Sequence, residues 1–204
     1  MAGGTGDDRY FVDNIRDKAS ERPGEGIDRV IASVNFTLGA NVEELVQRGA
    51  DDLRGTGNDL ANGIQGNTGS NLLEGKGGDD DIRGDDGNDT IAGGLGIDRL
   101  TGGQGFDSFR YALGTEADRD TILDFETGDK IDLSAIRIGT SRTDLPFHWL
   151  GSAGFDGVAG GLRVTVAGPG SYDVQGDIDG DGVADFLLTV VNSGGALSSG
   201  DFVL

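Results

Sequence analysis

From residue 57 to residue 110 a large apolar side chain recurs at every ninth position: Ile64, Leu73, Ile82, Ile91, Leu100 and Phe109. Cut in that register, the stretch reads GNDLANGIQ, GNTGSNLLE, GKGGDDDIR, GDDGNDTIA, GGLGIDRLT and GGQGFDSFR, six units without a gap. Around the apolar eighth place the pattern is mostly polar, apolar, polar, the period of a short strand with one buried face. Every unit opens on glycine. The last five carry a second glycine at the fourth place, Gly69, Gly78, Gly87, Gly96 and Gly105, and the last four an aspartate at the sixth, Asp80, Asp89, Asp98 and Asp107. One unit therefore reads as a six-residue turn plus a strand, half of a flattened coil. Two units complete the coil, so the loops of units n and n+2 stack on the same edge. A disordered Gly/Asp-rich linker would not hold an apolar residue in this register.

The same unit appears before the array. Residues 3–11, GGTGDDRYF, place Asp8 at the sixth position and Tyr10 at the eighth; residues 23–31, PGEGIDRVI, place Asp28 and Val30 there. The 12–22 stretch between them is long enough for the opposite half of a coil. Residues 30–46 lose glycine and alternate at Val34, Phe36 and Leu38, which predicts metal-free coils of the same solenoid. After Arg110 the period stops, and short strands are expected at 147–150, 162–166, 172–175 and 186–191, between glycine-rich turns. They form a small β sandwich or extension over the open end, because a solenoid's last coil otherwise exposes its core and backbone edge. The predicted fold is all-β: a parallel β-roll with a C-terminal antiparallel cap. Its parts are degenerate coils over 1–56, regular repeats over 57–110 and the cap over 111–204.

Composition adds the chemistry. The 204 residues include 39 glycines and no cysteine, with a formal net charge of −20. Such acidity argues against nucleic acid and anionic membrane surfaces and favours cations. Glycines three apart let a loop turn its carbonyl oxygens toward one centre, and the aspartates add carboxylates. Carbonyls and carboxylates without thiol or imidazole suit Ca²⁺, which takes roughly six to eight oxygens in flexible geometry. Several calcium ions are expected, at Asp80, Asp89, Asp98 and Asp107 with the loop carbonyls of Gly78, Gly87, Gly96 and Gly105. A further site is expected between Asp8 and Asp28. Asn62 and Asn71 supply oxygen without charge; Asn62 reads as a packing turn, whereas Asn71 stands open between packing and ligation. Lys76 and Asp85 replace second-place glycines and weaken their loops, Lys76 the more. Without metal, carboxylates repeated every nine residues repel one another, so folding is expected to be coupled to binding.

Nonapeptide repeats of the form G-G-x-G-x-D-x-U-x are the signature of the calcium-binding parallel β-helix of RTX proteins, and this array resembles them. Asp120-Thr121-Ile122, Asp124-Phe125, the GDKIDLS stretch at 128–134, GDIDGDGVADF at 176–186 and the closing Asp201-Phe202-Val203-Leu204 resemble the C-terminal domain of serralysin-type secreted metalloproteases. The resemblance implies a bacterial protein, secreted or held at the cell surface, exported by type I secretion machinery, with an uncleaved signal at its C-terminus. It also implies that Glu116, Asp118 or Asp120 shares metal with the last repeats; the sequence does not choose among them.

Catalytic chemistry is missing. There is no H-E-x-x-H, and the one histidine, His148, cannot build a zinc site; it reads as an ordinary strand residue. The chain is expected to be the non-catalytic tail of a larger secreted protein, and the opening Met1-Ala2, followed at once by a repeat, reads as cut from one. No apolar run approaches the ~20 residues of a membrane span. Asp177–Asp185 spaces its acids as an EF-hand does, but Leu188 stands where the bidentate glutamate belongs, leaving a β-turn with weak calcium ligation open. A second reading makes Phe147, Trp149, Phe155 and Tyr172 a face for extracellular polysaccharide or a partner protein, against a plain role as core.

Overall fold

The computed structural model describes residues 2–138, 146–192 and 194–204; the opening Met1 lies outside them. The N-terminal coils hold β1 (Arg9–Val12), β2 (Arg29–Ala32), β3 (Phe36–Thr37), β4 (Glu44–Gln47), β5 (Arg54–Thr56) and β6 (Gly63–Gln65). The repeats continue as β7 (Leu72–Gly77), β8 (Asp81–Asp86), β9 (Thr90–Leu95), β10 (Arg99–Gln104) and β11 (Ser108–Arg110). After a 3₁₀ turn at Gly114–Glu116 come β12 (Thr121–Phe125) and β13 (Lys130–Asp132). The C-terminal region adds β14 (His148–Gly151), β15 (Gly161–Gly168), β16 (Ser171–Asp177), β17 (Phe186–Asn192) and, after a second 3₁₀ turn at Ser199–Asp201, β18 (Phe202–Val203).

The strands form two sheets, ordered β1-β2-β4-β6-β8-β10-β12-β17-β16-β15-β14 and β18-β13-β11-β9-β7-β5-β3, which β2 to β13 enter alternately. All coil-to-coil pairs are parallel, and within the repeats the register joins residues eighteen apart: Ile82 to Leu100 and Ile64, Leu73 to Ile91, Ile91 to Phe109. The two-unit coil follows from the nine-residue period. Apolar eighth-place residues consequently stack between the sheets, and Leu73, Ile82, Ile91, Leu100, Phe109, Ile122 and Ile131 are wholly buried. Since a strand's side chains alternate faces, a slip of one residue would turn this whole stack to solvent, which fixes the register.

The structure departs from the sequence reading in two places and settles a third that the sequence left open. β7 to β10 run six residues each, so the first three residues of a unit extend the preceding strand and the free loop shrinks to about three, such as 78–80. Among the described residues, the 13–28 stretch has no strand in the second sheet; it closes the first coil through turns instead. Of the two forms the sequence allows for the C-terminal region, sandwich or extension, it takes the extension, continuing the first sheet. β12 pairs β17 in parallel, β17, β16 and β15 are antiparallel, and β14 returns parallel to β15. The last coil thereby pairs its open edge, while the second sheet ends on the two-residue strands β3 and β18, too short to template another chain.

Candidate metal centre

The turns between the sheets form two edges, each carrying a column of sixth-place side chains. On the first, Asn62 N–H donates to Asp80 Oδ1 (2.7 Å), Asp80 N–H to Asp98 Oδ1 (2.8 Å) and Asp98 N–H to Asp120 Oδ1 (2.8 Å). On the second, Asn71 N–H donates to Asp89 Oδ1 (2.7 Å), Asp89 N–H to Asp107 Oδ1 (2.8 Å) and Asp107 N–H to Asp129 Oδ1 (2.9 Å). Each carboxylate thus uses one oxygen to tie its coil to the one before. The other oxygen, Oδ2 of Asp80, Asp89, Asp98, Asp107 and Asp120, is buried with no hydrogen-bond partner. A buried polar atom without a partner is costly, and five repeated in register imply a ligand.

What faces these oxygens identifies the ligand's chemistry. A Cβ added to the first-place glycine Gly75 would collide with Asp80 Oδ2 and the carbonyl of Gly93, one at Gly84 with Asp89 Oδ2 and the carbonyl of Gly102, and ones at Gly93 and Gly102 with Asp98 and Asp107. Glycine there leaves a cradle faced by a carboxylate oxygen and, at Gly75 and Gly84, by a carbonyl oxygen of the next coil as well. The fourth-place glycines sit directly over carbonyls of the coil before, Gly87 over Gly69, Gly96 over Gly78 and Gly105 over Gly87. An all-oxygen, negatively charged cradle fits Ca²⁺ and no softer metal.

Electrostatics agree. Burial, opposed by the N–H each accepts and reinforced by neighbouring carboxylates, pushes Asp80 and Asp120 up to about 8, Asp89 to about 7, and Asp98 and Asp107 to about 6. Asp129 is raised as well, again chiefly by burial. Without a cation, neutral pH forces charge onto groups that resist it.

The structure places the residues the sequence left open. Of the three downstream acids, Asp120 stands in the column. Glu116 instead accepts from Ala112 and Leu113 N–H (2.6 and 3.0 Å) across its 3₁₀ turn, and the half-exposed Asp118 faces Arg119 (3.8 Å), so neither belongs to the column. Asn71 and Asn62 close their own turns: Asn71 Oδ1 accepts from Asn67 N–H and its amide donates to Asn67 Oδ1, and Asn62 Oδ1 accepts from Asn58 N–H. Both are ladder rungs without an orphan oxygen. Asp8 and Asp28 are successive rungs of the first edge, Asp8 N–H donating to Asp28 Oδ1 (2.9 Å). The sequence reading missed Glu43, which accepts from Asp28 N–H (2.9 Å), and Asp129. Their signal was the triplet acid, any residue, apolar that Asp120-Thr121-Ile122 and Asp129-Lys130-Ile131 keep after the glycines are gone. Asp124 was missed as a cap; its carboxylate accepts from Gly102 and Gly103 N–H (both 2.9 Å), replacing a further coil's backbone.

Lys76 and Asp85 both adopt the left-handed conformation, φ +82° and +73°, as Gly94 and Gly103 do at the equivalent place. Aspartate tolerates it; lysine does so at a cost of about 1 kcal/mol. Lys76→Gly is expected to raise unfolding stability in saturating calcium by up to about 1 kcal/mol, read from the urea midpoint, and to tighten calcium by removing a cation beside the cradle. Asp85→Gly should change little.

Elsewhere the candidates are plainer. His148 Nε2 meets Asp156 (3.2 Å) on the surface. Both oxygens of buried Asp177 are taken by Gly180 and Gly182 N–H (2.6 and 3.0 Å), and Asp185 holds Ile178 N–H (2.5 Å), so the acids of this loop close its turn. Phe147 is core, edge-on to Phe186 at 6.0 Å; Trp149 packs on Phe202 at 5.3 Å; Arg163 covers Phe155 at 4.3 Å. Trp149 and Tyr172 also line a groove of about 450 Å³.

The fold and its oxygen-lined edges define a calcium-type parallel β-roll. Residues 53–91, 65–100 and 93–110 match the model of the RTX calcium-binding nonapeptide repeat. The AlgE6R3 subunit of the Azotobacter vinelandii mannuronan C5-epimerase, solved in solution, is 33% identical, with a TM-score of 0.53 over 71% of this chain and 78% of that one. The AlgE6R2 subunit is 29% identical, with a TM-score of 0.53 over 77% and 94%. Endo-1,3-1,4-beta-glycanase ExsH of Rhizobium meliloti (strain 1021) is 38% identical over 69 residues, 34% of this chain but only 15% of that protein. The chain belongs to the RTX calcium-binding nonapeptide-repeat family and is related to parts of glycan-active proteins. No described helix is long and apolar enough to cross a membrane.

Proposed function

We propose that this chain is a non-catalytic calcium-loaded module of a larger secreted, glycan-active protein, folding when calcium fills its loops outside the cell. The observation that carries it is the in-register set of buried, unpartnered Oδ2 atoms on Asp80, Asp89, Asp98, Asp107 and Asp120. These side chains, with loop carbonyls, would hold the ions, and the ions would supply the positive charge that lets the edges stay ionised and packed. The stretches 1–56, 57–110 and 111–204 then act as N-terminal coils, calcium roll and serralysin-type cap. Phe202 in β18 is buried, so a secretion signal at this end would be read before folding, during type I export at low cytosolic calcium.

Titration calorimetry of the chelated chain tests this. Several calcium ions should bind, and Asp98→Asn, which keeps the Oδ1 acceptor for Asp80 N–H but loses the charge, should bind fewer. An Asp98→Asn chain with the wild-type count would sink the assignment.

The groove beside Trp149 and Tyr172, and the relation to glycan-active proteins, favour a second reading in which the cap holds an extracellular polysaccharide. Saturable quenching of Trp149 by alginate or mixed-linkage β-glucan in calcium is the expected sign; unchanged fluorescence with both would end it.

A further inference from the structure

We infer that the N-terminal coil carries a calcium site of its own, built by Asp8, Glu21 and Asp28, before the segment that matches the repeat model. One carboxylate oxygen from each lies within 4.8 Å of the others. Asp28 is 0% exposed and Glu21 8%. Asp28 Oδ1 is used by Asp8 N–H, which leaves Asp28 Oδ2 buried without a partner, and Asp8 Oδ2 is in the same condition. Asp8 Oδ2 is turned to the bare Cα face of Gly3, as Asp98 Oδ2 is to Gly93.

The difference from the regular rungs is Glu21. It comes from the 13–28 stretch that lacks a second-sheet strand, and no repeat position predicts it. Its backbone is set by the next coil: Glu21 N–H donates to Ala40 O (3.3 Å), and Asn41 Nδ2 donates to Glu21 O (2.8 Å). Its carboxylate accepts from Gly3 and Gly4 N–H (2.6 and 3.4 Å), and the Tyr10 hydroxyl accepts from the same Gly3 N–H (2.6 Å). A third carboxylate converges here, where a regular rung brings only the carboxylates of its own column. Carboxylates this close repel one another, and an all-oxygen set of this charge selects a hard divalent cation, with affinity rising with the number of charged ligands. The ion takes over the work of the missing strand, fastening residues 3–28 to β2. The Asp177, Asp179 and Asp185 group is as compact, but none of its oxygens is buried without a partner, and it carries no such site.

This inference rests on the calcium chemistry proposed above, yet uses residues outside 57–129, so the two fail separately. In the full chain, Glu21→Gln, whose amide oxygen still accepts from Gly3 N–H, and Asp28→Asn should each lower the calcium count by one. Hydrogen exchange in calcium should quicken across residues 3–32 and stay unchanged over 57–129, which also shows that the variants fold. Terbium luminescence excited through tyrosine should lose a component in Glu21→Gln and in Tyr10→Phe alike. A wild-type count in both carboxylate variants, with unaltered exchange over 3–32, overturns the site even if the repeats bind calcium as proposed.

Discussion

Stripped of divalent ions at pH 8, the chain is expected to lose most of its far-UV β signal and to regain it cooperatively as calcium is added, with magnesium a poor substitute. Five buried carboxylates have raised proton affinity: at that pH Asp89, Asp98 and Asp107 are forced to ionise, and Asp80 and Asp120 sit near their midpoints. One pH unit of such a shift corresponds to about 1.4 kcal/mol, so the combined cost to the metal-free fold is on the order of 20 kcal/mol, more than the whole stability of a domain, about 5–15 kcal/mol. Each filled site returns about 2.7 kcal/mol when calcium is at a hundredfold excess over its Kd. Because stacked loops share their carbonyls and carboxylates, filling one orders the next, and the transition should be steep. Magnesium demands a tighter octahedron and gives up its water reluctantly. A chain fully β-structured in chelator at pH 8 would reduce the repeats to scaffold.

Acid should do part of calcium's work. A carboxylate whose folded pKa lies above the unfolded value of about 3.9 holds more protons in the folded state, so its contribution favours folding at low pH and is lost as pH rises through the folded pKa. With Asp98 and Asp107 at about 6, Asp89 at about 7, and Asp80 and Asp120 at about 8, the metal-free fold weakens between roughly pH 4 and 8. Glu21 and Asp156, held below the ordinary carboxylate value chiefly by backbone N–H groups, run the other way but are fewer. In chelator, circular dichroism at pH 5 should therefore show more β structure and a higher urea midpoint than at pH 8. Calcium affinity should fall as the pH drops through the same interval, because protons compete for the same oxygens. A metal-free chain more ordered at pH 8 than at pH 5 would contradict the buried-carboxylate account.

The regular roll was legible from the chain because its signal is local and repeated. A nine-residue period with Leu73, Ile82, Ile91 and Leu100 at one place can be satisfied only by stacking, and stacking by two units sets the neighbours of Asp80, Asp89, Asp98 and Asp107 without further information. The calcium chemistry was legible too, since glycine and aspartate at fixed places leave only oxygen donors. What the tertiary structure decided lies where the period breaks. Asp120 rather than Asp118 or Glu116 enters the column because the 3₁₀ turn at Gly114–Glu116 takes up the slack and claims Glu116. Glu21 reaches Asp28 only through the 40–41 turn of the following coil, a contact no spacing encodes. The cap joins the first sheet because β12 offers an open parallel edge and β17 satisfies it. Repetition turns sequence distance into spatial distance; once it stops, only packing and the pairing of backbone groups decide which residues meet.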